Sequence, residues 1–194
     1  MTWQNIPGHS NDIEAFYAML AKDETLLPHG ATFLEVGVFF GRSLACIGSQ
    51  RPDLDLWGID VWEDGEAEDH YGGPAFKQYA MERGGIFPAF LRSMMEEEPY
   101  VLTRTHVLRC PSLLADPLAI APDVVFIDAN HSYDAVKADI NHWLHSPRLR
   151  IIAGHDYEPV HWGGVVQAVN EAFGGRHEMG PEVGHYTSCW WVRL

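Results

Sequence analysis

Cysteine is scarce: Cys46, Cys110 and Cys189 stand far apart in 194 residues, with no CxxC pair. That excludes a disulfide framework and a thiolate zinc site, and it fits a reducing cytoplasm. Basic residues are outnumbered, 13 lysines and arginines against 27 acids, for a formal charge of −14. Such a surface repels phosphate backbones and anionic membranes, so neither nucleic acid nor membrane is an expected partner. No apolar run approaches the ~20 residues of a membrane helix. The first twenty residues contain Asp12 and Glu14 and no basic stretch, so no signal peptide is expected and the chain reads as cytoplasmic. Internal repeats and low-complexity tracts are missing too. What is present is ordinary globular composition, 46% hydrophobic and 21% charged, in a length suited to one α/β domain over residues 1–194.

Short apolar runs alternate with helical periodicity, the pattern of a mostly parallel sheet with crossover helices on both faces. Ile13, Phe16, Tyr17, Leu20 and Ala21 recur at helical spacing behind Ser10 or Asn11, either of which can cap the start. Strands are expected at Thr32–Gly37, Leu54–Asp60, His106–Cys110, Asp123–Asp128 and Leu149–Ala153. Helices are expected at Ser43–Gln50, over Val136–Leu144, and at Val165–Phe173. The chain should close with an antiparallel hairpin of His177–Met179 and Ser188–Arg193. Residues 62–100 break the rhythm. They open with Glu63, Asp64, Glu66, Glu68 and Asp69, pass through Tyr71-Gly72-Gly73-Pro74, and continue as two helical patterns around 75–83 and 87–97. This excursion is expected near the binding face; for the acidic run itself a solvated loop is the competing reading.

The first expected strand runs into Glu35-Val36-Gly37-Val38-Phe39-Phe40-Gly41-Arg42-Ser43 and then a helix. Glycines in such a turn let backbone approach a ligand, and the helix start offers free N–H groups to a carboxylate or phosphate. Asp60 ends the second strand, near the spacing at which an acid accepts hydrogen bonds from ribose hydroxyls. The GxGxxG dinucleotide fingerprint is not met.

Asp128 ends the fourth strand, His131 lies three residues on, and His155-Asp156 ends the fifth. In an open α/β sheet the carboxyl ends of strands form the ligand crevice, so these four side chains should converge. Asp128, His155 and Asp156 are candidate metal ligands. Carboxylates suit Mg²⁺ or Mn²⁺, and an imidazole tilts the balance toward Mn²⁺ or another transition metal. Two adjacent residues reach one ion only if the chain turns between them. His131 is the candidate general base, with His155 its competitor. The competing readings make Asp128 or His131 a helix cap and His155 a satisfied polar group. Trp62, Tyr71, Tyr157 and Trp162 are candidates for an aromatic wall, with packing as the simpler role for each. His70 and His161 are weaker candidates on the same side.

Residues 34–43 resemble the S-adenosylmethionine loop of class I methyltransferases, Rossmann-like α/β enzymes. Residues 126–136 (FIDANHSYDAV), 152–157 (IAGHDY) and 164–173 (GVVQAVNEAF) extend the likeness to the divalent-metal branch of small-molecule and sugar O-methyltransferases. The resemblance covers roughly residues 30–194 and is poor over 62–100. It implies that Gly37, Phe39 and Ser43 surround the methionine end of the cofactor, with Asp60 on the ribose, Trp62 beside the adenine and Ser112 contacting the adenine. Glu35, Gly41 and Asp128 complete the cofactor-binding set. The segment Arg109-Cys110-Pro111-Ser112 departs from the glycine and small residue usual there. His131 falls at the base position, and the acidic pair of the metal site has become His155-Asp156.

Together these readings give an S-adenosylmethionine-dependent O-methyltransferase acting on a hydroxylated small molecule, a sugar unit included, with a Mg²⁺ or Mn²⁺ ion. They leave room for a homo-oligomer. A protein that binds the cofactor without turnover is the alternative. A nicotinamide oxidoreductase is opposed by Glu35 and by the absent third glycine.

Overall fold

The computed structural model describes residues 2–8, 11–63 and 73–194. Ser10 as a cap, His70, Tyr71 and the acidic run over 64–69 lie outside the described residues.

Strand β1 (Thr32–Val36) is buried at all five positions, with Phe33, Leu34 and Val36 apolar and Thr32 and Glu35 buried polar residues. It pairs in parallel with β2 (Asp55–Asp60) on one side and β4 (Val124–Ile127) on the other. β3 (Thr105–Arg109) extends the sheet beyond β2, and β5 (Ile151–Gly154) extends it beyond β4, both in parallel. β7 (Trp190–Arg193) then runs antiparallel to β5 and carries β6 (Glu178–Met179) at the edge. The order is β3-β2-β1-β4-β5-β7-β6. The expected parallel sheet and closing antiparallel pair are both present, although the hairpin strands are shorter than the sequence suggested. Because the chain reverses its direction across the sheet between β1 and β4, a crevice opens at their carboxyl ends.

Alternate residues of β1 serve opposite faces. Phe33 shares a core with Phe16, Leu44 and Phe90, on the side of α1 (Asn11–Lys22), α2 (Arg42–Gln50) and α4 (Ile86–Glu97). Leu34 packs with Ile140 and Val169, from α7 (Tyr133–Trp143) and α8 (Gly163–Phe173). The excursion supplies α3 (Pro74–Glu82) as well as α4, and Ala80, Ile86, Ala89, Phe90 and Met94 join the first of these two cores. Two helices are too short to show a periodic pattern in sequence, α5 (Pro99–Thr103) and α6 (Pro117–Ile120). α6 carries a local start signal nonetheless: Asp116 accepts from the Leu118 N–H at 2.8 Å, with Pro117 in the first turn. Among the described residues no helix is long and apolar enough to cross a membrane.

Candidate functional site

The glycine loop leaves β1 and is sewn to its neighbours by backbone. The Gly37 N–H donates to the Ile59 carbonyl at 2.9 Å, and the Asp128 N–H donates to the Val36 carbonyl at 2.7 Å. Gly37 has φ +88°, and a Cβ on it would fall 1.9 Å from the Asp128 carbonyl oxygen. Glycine is required there by the close approach of the β1 and β4 ends, whether or not a ligand is bound. Gly41, at φ +90°, precedes α2, whose start no side chain caps. The first-turn N–H groups of a helix have no intrahelical partner, so that start is suited to a carboxylate.

Asp60 faces this loop. Its Oδ2 accepts from the N–H groups of Val38 and Phe39, both at 2.8 Å, and its Oδ1 accepts from the Trp62 N–H at 2.7 Å. Burial pushes its carboxyl up, against the pull of those donors. Trp62, expected beside an adenine, is 1% exposed; its ring packs on Phe87 and Phe90 and its Nε1 donates to the Phe39 carbonyl at 2.7 Å. Glu35 is wholly buried and accepts from the hydroxyls of Tyr17 (2.9 Å) and Ser43 (2.7 Å). Burial raises its carboxyl to about 8, so it is mostly neutral at pH 7. The Ser112 hydroxyl donates to Asp139 on α7, which ties the β3 loop to that helix.

The second cluster stands at the ends of β4 and β5, paired in register at Ile127 and Gly154. His131 Nε2 lies 2.9 Å from Asp156 Oδ2 and 3.6 Å from Asp128 Oδ1. Neither contact has hydrogen-bond geometry, so this nitrogen is buried without a hydrogen-bond partner. Burial opposes charge on the ring, but the two carboxylates outweigh it and raise His131 to about 9. His155 Nδ1 is 3.3 Å from Asp156 Oδ1 and 3.8 Å from Asp128 Oδ1. The turn that adjacent ligands need is present: Asp156 has φ +60°, a left-handed conformation uncommon outside glycine. The helix after His131 is capped by Ser132, which accepts from the Ala135 N–H, so His131 is not its cap.

Two members of this cluster carry no local sequence signal of a role. Asp12, on α1 and 7% exposed, places Oδ1 and Oδ2 each 3.1 Å from His155 Nε2. Ser188 supports it, its N–H donating to Asp12 Oδ2 at 2.9 Å and its hydroxyl at 3.1 Å. The one hint is that Asp12 sits four residues before Phe16, on the helix face that is otherwise apolar. Ser188, His155 and Asp156 follow one another like a hydrolase triad, yet Ser188 is 0% exposed and its hydroxyl is committed to Asp12. No substrate reaches it. Cys189 lies near Asp12, but burial pushes its thiol far up, so it offers no thiolate.

One ligand atom from each of Asp128, His155 and Asp156 lies within 4.8 Å of the other two. Two carboxylates and one imidazole make a donor set that fits a divalent ion, and the buried His131 nitrogen without a hydrogen-bond partner stands beside it. Among the described aromatic candidates, Trp162 alone is shown against this cluster, its ring 4.4 Å from that of His131. Tyr157 turns away to His177 and Asn170, and His161 pairs with Glu158.

The methyltransferase-domain family matches residues 34–157, from the glycine loop through the second cluster. The chain belongs to that family, as a class I S-adenosylmethionine-dependent methyltransferase. No curated protein matches it. Among solved structures it is similar to CalS11, described as a TDP-rhamnose 3'-O-methyltransferase of calicheamicin biosynthesis. That match has a TM-score of 0.62 and 15% identity, over 97% of this chain and 81% of the other. It is also similar to the O-methyltransferase TomG from Streptomyces achromogenes, involved in tomaymycin synthesis and solved with S-adenosylmethionine. There the TM-score is 0.60 and the identity 18%, over 98% and 82% of the two chains. Cofactor-bound Rv0187 from MTB gives a TM-score of 0.65 at 15% identity, over 98% and 84%. These likenesses establish a shared fold.

Proposed function

We propose that this chain transfers a methyl group from S-adenosylmethionine to a hydroxyl of a small molecule, a sugar unit being the leading acceptor class. The supporting observation is one contact: Gly37 of the cofactor loop abuts the backbone of Asp128, so a ligand on the loop ends beside the carboxylate–histidine cluster. Similar solved structures, one described as a TDP-rhamnose 3'-O-methyltransferase and one as an O-methyltransferase involved in tomaymycin synthesis, favour a small acceptor. The net charge of −14 argues against nucleic acid and anionic membrane. We read residues 1–194 as one domain acting in the cytoplasm, with an excursion at about 62–100 near the binding face.

The loop and the start of α2 bind the methionine end of the cofactor, and Asp60 offers its remaining acceptor capacity to the ribose. Asp128, His155 and Asp156 hold a divalent ion. When bound, that ion supplies positive charge that orients the acceptor and offsets the carboxylates around His131. His131 takes the hydroxyl proton on Nε2 as the oxygen–methyl bond forms and the sulfur–methyl bond breaks, in line. In the protein alone the ring is protonated, near 9, and cannot accept. The base and the ion therefore stand or fall together. Trp162 is placed to border the acceptor.

The test is transfer of a labelled methyl to a library of hydroxylated compounds, with calorimetric titration of S-adenosylhomocysteine and NAD. Binding of the former with transfer to a hydroxyl supports the reading. Binding of NAD alone would reverse it. Cofactor binding without transfer to any acceptor would favour the second reading, a binding protein without turnover, which His155 in the acidic pair already suggests.

A further inference from the structure

We propose that Asp12 is the positioning residue for His155. It fixes the ring so that Nδ1 is presented as a nitrogen ligand beside Asp128 and Asp156, and the site thereby selects a transition-metal dication such as Mn²⁺ over Mg²⁺. The inference rests on the metal site of the preceding section and adds a residue from outside its loops.

Asp12 comes from the first helix, 143 residues from His155 in sequence, yet both its carboxylate oxygens lie 3.1 Å from Nε2. A buried carboxylate must be compensated. Ser188 holds Oδ2 through its N–H and its hydroxyl, so the carboxylate is fixed in place. An ionised carboxylate only accepts, so Nε2 must carry a proton. The Ser188 oxygen, 2.9 Å from the same nitrogen, has given its own proton to Asp12 and is consistent with that tautomer.

In the protein alone the carboxylates on both sides hold the His155 ring protonated, well above the ordinary histidine range. With an ion in place of the Nδ1 proton the ring is neutral, and Nδ1 turns its lone pair toward Asp156 Oδ1, 3.3 Å away, and Asp128 Oδ1, 3.8 Å away. Nδ1 and the two carboxylates thus share one positive charge, which is a proton in the protein alone and would be a metal ion in its place. Separations of this size suit neighbouring ligands of one ion, since metal bonds of ~2.1 Å at right angles place donors ~3 Å apart. A carboxylate behind a ligating imidazole sets its tautomer and raises its basicity. Imidazole suits transition metals, while Mg²⁺ prefers oxygen. An aspartate at 155 would set a second carboxylate against buried Asp12, where His155 now faces it.

The experiment uses the full chain freed of metal. Mn²⁺ affinity is read by electron paramagnetic resonance at neutral pH with Mg²⁺ as competitor. The His155 tautomer is read from long-range proton–nitrogen spectra with Zn²⁺ as the diamagnetic ion. Mn²⁺ should bind about 10-fold or more tighter than Mg²⁺, with His155 protonated at Nε2. Asp12→Asn can donate to Nε2 and release the tautomer, and should weaken Mn²⁺ by about 10–100-fold. A purely structural role for Asp12 would leave the metal preference unchanged. Equal Mn²⁺ affinity in Asp12→Asn, equal affinity of the wild type for the two ions, or a proton on Nδ1 would each overturn the proposal. Should the variant fail to fold, the wild-type competition and tautomer decide. Titration with S-adenosylhomocysteine on the same samples separates the two readings. If that ligand fails to bind while the metal pattern holds, the role of Asp12 stands and the methyltransferase reading falls.

Discussion

At the ends of β1 and β2 each carboxylate oxygen has an internal donor: Glu35 takes Tyr17 and Ser43, and Asp60 takes the backbone of Val38, Phe39 and Trp62. At the ends of β4 and β5 the count runs the other way. Asp12, Asp128 and Asp156 crowd two imidazoles, and His131 Nε2 is buried with no hydrogen-bond partner. The first region is a scaffold whose shape is set by backbone. The second is an electrostatic arrangement completed by added charge. Substitutions in the scaffold should therefore act on stability and shape, and those in the cluster on chemistry.

The sharpest way to break this contrast is Gly37→Ala. Its Cβ would meet the Asp128 carbonyl at 1.9 Å on a residue at φ +88°, so backbone must move at the junction of the two regions. We expect a loss of more than about 4 kcal/mol, enough to unfold many domains. Gly174→Ala, at φ +58° with nothing within 4 Å of the added atom, should cost only about 1–2 kcal/mol. Urea midpoints of the two variants check the pair. A Gly37→Ala protein as stable as the wild type would show that the approach to Asp128 relaxes freely.

In the cluster, His131→Ala should fold normally, bind S-adenosylhomocysteine normally and lose about 10²–10⁴-fold in kcat. The wild-type rate should rise with pH as His131 deprotonates, and that step should vanish in the variant. Turnover close to wild type would pass the base role to His155 or to water. Excess chelator should abolish the reaction, and Mg²⁺ or Mn²⁺ should restore it.

How far these regions were legible in sequence follows the same division. The glycines, Asp60, Asp128, His131 and His155-Asp156 announce themselves because strand ends in a parallel sheet are marked by local pattern. The reason for Gly37 is not local: it is the Asp128 carbonyl, 91 positions along the chain. Asp12 and Ser188 were unreadable as a pair for the same reason, being 176 residues apart and joined only when β7 inserts beside β5. Trp62 is expected beside the adenine only through the family resemblance, and no local pattern marks it as buried. Only the packing of α4, from the irregular excursion, covers it.

Glu35 offers a test of the scaffold by pH alone. Its carboxyl is raised by burial from 4.5 to about 8, so the folded state holds a proton that the unfolded chain releases. This stabilisation is complete below the unfolded value and is lost as pH climbs toward the folded one. The loss should reach about 2–3 kcal/mol between pH 5 and pH 7. Glu35→Gln keeps the shape without the titration, so its stability should change less over that interval. Denaturant curves at the two values check it, and parallel profiles for both proteins would mean that Glu35 titrates normally.

Asp60 tells the two kinds of region apart most finely, since it both shapes the loop and is proposed to face the ribose. Its Oδ2 receives two backbone N–H groups, so Asp60→Ala removes the loop's anchor together with any ribose acceptor. Asp60→Asn is gentler. One oxygen can still serve Val38 and Phe39, while the amide nitrogen must face the Trp62 N–H, where Oδ1 now accepts at 2.7 Å. A hydrogen bond to a charged acceptor contributes roughly 1.5–3 kcal/mol, so losing one to the ribose should weaken cofactor binding about 10-fold or more. If the charge of Asp60 matters to the ribose, calorimetry with S-adenosylhomocysteine should show that loss in both variants, while only Asp60→Ala also melts early. If Asp60 serves the loop alone, Asp60→Asn should bind almost as the wild type does, and the ribose must find its acceptor elsewhere.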